Sequence, residues 1–421
     1  MNRILAFVFL LLATNLVSNA QDMNRVKTTI ATLTSPQMHG RGYVQSGDRK
    51  AAEYLAEQFQ QMGLKTFNAS YFQEFPLDIN TFPKRLKLTV GKKMLTPGEQ
   101  YIVNPISQQG AGQGKIVYLD TLIFTQESAR QKFLQSNFSK QVMVYESVHY
   151  GKLVEMPIEY LNKMHEAKAL IELQKEKLTA SLSGKQMSHP AFEMVKKDSP
   201  PAGTRVKYRV DAKLISNYIS QNVIGYIPGK AEPDSFIVIS AHYDHLGRMG
   251  KNTYFPGAND NASGTTMLLE LARHYSQPQN QPEYSMVFIG FGAEEAGLIG
   301  SRYYVQHPLF PLKDIKFLVN LDLVGTGDEG MTVVNGAALT DEYTLLTRIN
   351  EQKGYLPKIN KRTNAPNSDH YFFANKGVKA IFIYTLGGIK AYHDVYDRAE
   401  TLPLTKFKEL FGLLTDFIGE L

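Results

Sequence analysis

Apolar positions change their spacing several times along the chain, and each change predicts a different element. Between residues 47 and 63, Ala51, Tyr54, Leu55, Phe59 and Met62 fall on one face at helical spacing, and Gly63 follows as a stop. A shorter amphipathic stretch covers 24–33, and the Gly-, Pro- and Ser-rich residues 35–47 predict a loop between the two. Residues 71–90 alternate apolar and polar, the period of strands with one buried face.

From about 102 to 215 the pattern is mixed. Short apolar runs at 116–119 and 142–145 predict strands, and polar runs at 127–134 and 160–177 predict helices. A Gly/Gln-rich stretch at 108–114 leads in and a Pro-rich one at 199–203 leads out, so the segment reads as an inserted, smaller α+β subdomain. From residue 217 onward strand, loop and helix repeat. Strands are predicted at 222–227, 236–240, 285–291, 316–320, 331–335 and 380–385, and helices at 262–275, 298–304, 341–353, 369–375 and 404–421. This alternation predicts an α/β fold with a mainly parallel central β-sheet flanked by helices. Residues 21–101 and 216–421 would build it around the insertion at 102–215.

Composition narrows the chemistry. The 421 residues are 43% hydrophobic and 20% charged, which supports a sizeable core. There is no cysteine, so disulfides, Cys-ligated zinc and a thiol nucleophile are excluded. The net charge of +6 comes from scattered pairs such as Lys92–Lys93 and Lys196–Lys197 with acids between them. No basic run or nucleic-acid motif accompanies them, so no nucleic-acid partner is expected. Residues 1–20 read as a secretory signal: Arg3, an apolar run at 4–13 too short to span a bilayer, then Ser18 and Ala20 at cleavage spacing. No later stretch is long and apolar enough for a span, so the mature protein is expected in the periplasm or outside the cell.

The candidate chemistry lies at predicted strand ends. His242 follows the strand at 236–240, Glu294 and Glu295 the strand at 285–291, and Asp322 the strand at 316–320. His393 lies past the strand at 380–385, and Asp260 sits in the Gly-rich loop before the helix at 262–275. Ligands of open α/β sheets gather beyond the carboxyl ends of the strands, so these side chains are expected to converge. Imidazoles with carboxylates suit zinc, and two ions would require one carboxylate to bridge them. Adjacent Glu294 and Glu295 point in different directions, so one can bind metal while the other faces the attacking water. Asp244 could ligate, or accept the other N–H of the His242 imidazole and fix its orientation. His245 has no assignable role, and His149, His165 and His189 lack ligand-like neighbours.

The ordered motifs AHYDHLG, GANDNASG, GAEEAGLIGS, NLDLVG, NSDHYFF and YHDVYD resemble those of the co-catalytic two-zinc aminopeptidases, the bacterial leucyl aminopeptidase and aminopeptidase Y group. HGRGYVQSGDRKAAEYLAEQFQQMGLK is similar to that family's start, and the resemblance covers about 30–100 and 215–421. It implies that Asp260 bridges two zinc ions, with His242 and Asp322 on one and Glu295 and His393 on the other. It makes Glu294 the general base. It places Tyr392 where some members carry a phenol that polarises the scissile carbonyl, and Asp369 as a carboxylate near the substrate. Asp369 also reads as a helix N-cap. Asn259 stands where many relatives have Asp, with little consequence expected. By its position, the insertion resembles a protease-associated domain that would favour short, extended substrates.

The expected activity is removal of N-terminal residues from peptides. Carboxylates would hold the free amine, and a hydroxide between the metals, served by Glu294, would attack the carbonyl. Rival readings on the same fold are a one-zinc, glutaminyl-cyclase-like acyltransferase and a carboxypeptidase. A non-catalytic binding ectodomain is the third rival, but it should have lost ligands.

Overall fold

A computed structural model describes residues 21–421. The expected export signal at 1–20 lies outside the described residues. The larger of two eight-stranded sheets orders its strands Phe72–Thr81, Lys213–Ile227, Tyr284–Phe291, Glu232–His242, Ile315–Leu321, Ala380–Leu386, Gly330–Val334 and Ile359–Arg362. The four strands from Tyr284–Phe291 to Ala380–Leu386 run parallel, whereas Phe72–Thr81 and Lys213–Ile227 are antiparallel additions at one side. Gly330–Val334 is antiparallel to Ala380–Leu386, so the sheet is mixed around a parallel centre.

The central strand Glu232–His242 shows why the sequence folds this way. Ile237, Ile239 and Ala241 enter the core beneath the helices Gly47–Gln61, Gly264–Tyr275 and Phe407–Gly419. Phe236 and Val238 enter the opposite core with Tyr304, Val305 and Phe373. A strand covered on both faces reads as a continuous apolar run, which is what 236–239 is. Among the described residues no helix is long and apolar enough to cross a membrane.

The second sheet runs from Leu86 to Val210, with its parallel part formed by Gly110–Tyr118, Gln141–Glu146, Ala169–Gln174 and Ala191–Val195. Its first strands precede residue 102, because Leu86–Val90 pairs with Arg205–Val210. The helix expected over 160–177 is corrected: it ends at Met164, and Ala169–Gln174 is a strand. There Ala169, Ile171 and Leu173 enter one core and Leu170 the other, a period of two hidden among polar neighbours.

Candidate metal centre

The ends of the parallel strands bring the six candidate ligands and base together. His242 is the last residue of its strand, and Asp322 directly follows Ile315–Leu321. Glu294 and Glu295 follow Tyr284–Phe291, Asp260 lies in the turn Ala258–Ser263, and His393 lies in an irregular segment beyond Ala380–Leu386. Asp260 stands between the two imidazoles. Its Oδ1 is 3.4 Å from His242 Nε2 and its Oδ2 is 3.0 Å from His393 Nε2. Each imidazole meets one further carboxylate: Asp322 Oδ1 is 3.3 Å from His242 Nε2, and Glu295 Oε2 is 3.0 Å from His393 Nε2.

This arrangement fits zinc. Ligand atoms about 2.0–2.1 Å from a tetrahedral ion lie roughly 3.3 Å from one another, close to the separations observed. Each Nδ1 faces a backbone carbonyl, Asp244 O at 3.3 Å for His242 and Ala180 O at 3.0 Å for His393. A carbonyl only accepts, so Nδ1 carries the hydrogen and each Nε2 turns toward two carboxylates. Charge argues the same way. Asp244, Asp260, Asp322, Asp369 and Asp397 are buried around the centre, while Arg41 is the one buried Lys or Arg among the described residues. So many buried carboxyl groups either need cations beside them or stay protonated, and bound metal would supply the first.

The groups respond to this crowding. Burial pushes the Glu294 carboxyl well above the usual carboxylate range, and Asp369 adds to the rise. Burial acts against ionisation of Glu295 too, but the imidazoles of His393 and His245 hold it well below that range. Burial also raises the Asp369 carboxyl to about 7. Burial and the surrounding carboxylates raise the Tyr392 hydroxyl, which stays protonated and able to donate.

A hydrogen-bonded frame sets the ligands. Ser240 Oγ donates to Asn320, Asn320 donates to Ser368 Oγ, and Ser368 Oγ donates to Asp322 Oδ2, each at 2.8–2.9 Å. Asp244 differs from expectation. Its carboxylate is 3.8 Å from His242 Nδ1 and instead accepts the Glu294 backbone N–H at 3.1 Å, so its carbonyl meets the imidazole while its side chain seats Glu294. Asp369 starts the helix His370–Ala374 without making a capping bond, and neither of its oxygens meets a donor. Tyr392 stacks on the His393 ring, with centroids 4.0 Å apart, and lines the cavity. Asn259 Oδ1 accepts Gly325 N–H at 2.9 Å, a structural bond an amide can make.

Three residues without an expected role also converge here. His245 is fully buried with Nδ1 2.6 Å from Glu295 Oε1. Its ring lies against Gly257, whose φ of 62° and lack of Cβ leave room for it. Asp397 accepts the N–H groups of Asn259 and Asp260 at 2.8 and 3.0 Å. Arg41 donates to the carbonyls of Tyr243, Leu33, Pro256, Gly257 and Asp260, tying the His242 and Asp260 loops together. The presence of His245 and Asp397 within AHYDHLG and YHDVYD was a signal for both; Arg41 had only its place in HGRGY.

The centre opens into a cavity of about 430 Å³ walled by Leu298, Leu323, Phe382, Tyr384 and Tyr392. A larger hollow of about 890 Å³ near Lys84 and Lys251 contains none of these ligands, so the donor set and not the size marks the site.

Comparison with known proteins places this unit. Residues 222–418 match the model of peptidase family M28. These residues belong to peptidase family M28. The chain is similar to aminopeptidase YwaD of Bacillus subtilis, 36% identical over 154 residues, which are 36% of this chain and 32% of that relative. The chain therefore spans about a third of the length of that curated relative. Over nearly the whole chain the fold is that of a solved zinc aminopeptidase from Bacillus subtilis, with a TM-score of 0.68, 22% identity and 94% of each chain covered. An aminopeptidase from Aneurinibacillus sp. strain AM-1 gives a TM-score of 0.63 at 21% identity, covering 96% of this chain and 94% of that one.

Proposed function

We propose that the chain is an exported, two-zinc aminopeptidase that hydrolyses the first peptide bond of substrates with a free N-terminus. The observation that carries this reading is Asp260, whose two oxygens each face one imidazole at 3.0–3.4 Å. His242 and Asp322 would hold one ion, Glu295 and His393 the other, with Asp260 shared. Zinc, when bound there, supplies Lewis-acid polarisation and makes a nucleophile available at neutral pH. Glu294, in the donor cluster with His242 and Asp322, takes the proton of the attacking water and passes it to the departing amine. The Tyr392 hydroxyl donates to the oxygen of the scissile carbonyl as charge develops there. Carboxylates on the cavity floor hold the substrate ammonium. The apolar wall of Leu298, Leu323 and Phe382 receives the first side chain. His245, Asp397 and Arg41 keep Glu295 and the Asp260 loop in place.

The test is hydrolysis of a panel of free and N-acetylated peptides, with and without chelator. Free peptides should be cleaved one residue at a time and chelation should abolish this. Cleavage of the acetylated peptides, release from the C-terminus, or cyclisation of N-terminal glutamine in place of hydrolysis would each sink the reading. Export is tested separately: the mature protein should begin at Gln21, and a retained Met1 would contradict it.

A further inference from the structure

One connection of the second sheet reaches the metal centre. Parallel strands Ala169–Gln174 and Ala191–Val195 are neighbours, and neighbours of that kind are usually joined by a crossover helix. Here residues 175–190 contain neither helix nor strand. Long irregular connections inside compact domains are usually functional, and this one crosses to the segment carrying His393. Ala180 N donates to the His393 carbonyl at 2.9 Å, and Ala180 O accepts from His393 Nδ1 at 3.0 Å. Lys177 Nζ donates to the carbonyls of Lys390 and Tyr392 at 3.2 and 2.9 Å and pairs with Asp394 Oδ2 at 3.1 Å. Its three hydrogens thus have three acceptors on the five residues centred on Tyr392. The connection is itself tied down. Asn80 N donates to Ser183 O at 2.7 Å, Gln186 Nε2 to Asn80 Oδ1 at 2.7 Å, and Leu178 and Ala180 are buried in the same core as Val395.

His393 needs this support. Its φ of 53° is left-handed, a conformation that a residue with a Cβ keeps only when its surroundings fix it. Simple packing of two sheets would bury apolar side chains against each other. Here polar contacts add to that packing, and they fall on the imidazole nitrogen and on the carbonyls either side of it.

We propose that the 175–190 connection is a working part of the metal centre, with the Ala180 carbonyl setting the His393 ring and Lys177 as a positioning residue that pins its segment. This inference rests on the reading of His393 as a ligand. It gives the second sheet a role in holding one of two ions, and not only in limiting access to the cavity.

The test titrates the metal-free full-length chain with zinc against a competing chelator dye, for wild type and Lys177→Met. The lysine is 44% exposed, so the variant is expected to fold, and a circular-dichroism melt checks this. Loss of an outer hydrogen-bonding partner typically weakens metal binding 10–100-fold. The expected result is that weakening at one of two sites, with the other site and the melt unchanged. Two unchanged sites in Lys177→Met would overturn the role of the connection alone. Equal weakening at both sites together with an earlier melt would overturn it as well, by marking a general loss of structure. A wild-type chain that binds no zinc would overturn both this inference and the metal-centre reading.

Discussion

The two halves of the candidate metal centre are built differently. His242 ends a central strand whose backbone is locked into parallel ladders, and it is buried. His393 sits in an irregular segment with a left-handed backbone, and its side chain is 15% exposed. The first half is set by the sheet, through Ser240, Asn320 and Ser368. The second borrows its hydrogen bonds from Ala180 and Lys177, more than two hundred residues earlier in sequence. A ligand at a strand end inherits its position, whereas a ligand on a loop has to be held from outside. Asp260 joins the halves, and Arg41 and Asp397 hold the turn that carries it.

The largest expected effect separates chemistry from this scaffold. Glu294→Gln should lower kcat by roughly 10²–10⁴-fold, the usual worth of a positioned general base, while both halves keep their zinc. Metal analysis beside steady-state kinetics checks this, and lost zinc with intact turnover would contradict the assigned role. Next comes Arg41→Met, which should act on both halves together because Asp260 is shared. Removing a buried, fully bonded charge should cost about 3–5 kcal/mol, read as a lower denaturant midpoint. A change below about 1 kcal/mol would mean the five carbonyls find other donors.

The smallest effect lies in the second sheet. Burial, with Glu172 beside it, raises the Glu193 carboxyl to about 7 from 4.5. The folded state then binds more protons than the unfolded state between those values. Stability is fully present below the lower value and falls as pH rises through the upper one, by on the order of 3 kcal/mol. Unfolding by denaturant at pH 4.5, 6 and 8 should show the slope, and Glu193→Gln should flatten it. The same slope in the variant would remove Glu193 as its source.

Much of the larger sheet was legible in the sequence because its parallel strands are mostly apolar, and His242, Glu294, Glu295 and Asp322 stand at or just past their ends. The convergence of His242, Glu294, Glu295 and Asp322 follows from that rule, since parallel strands end on one edge; Asp260 and His393 come from irregular segments beside it. The strand Ala169–Gln174 was not legible, because a short buried run beside the polar 160–168 fits a helix and a strand alike. Arg41, Ala180 and Lys177 were hidden for another reason. Their contacts run mostly through backbone carbonyls, which every residue has, so no side-chain pattern marks them. The seating of Glu294 by Asp244 was likewise invisible, because it depends on which way one carboxylate turns.

Zinc stoichiometry of the metal-stripped, refilled full-length chain tests the shared role of Asp260 most directly. Two ions per chain, falling below two in Asp260→Asn, is the predicted result. One ion per chain in the wild type, unchanged in Asp260→Asn, would contradict it.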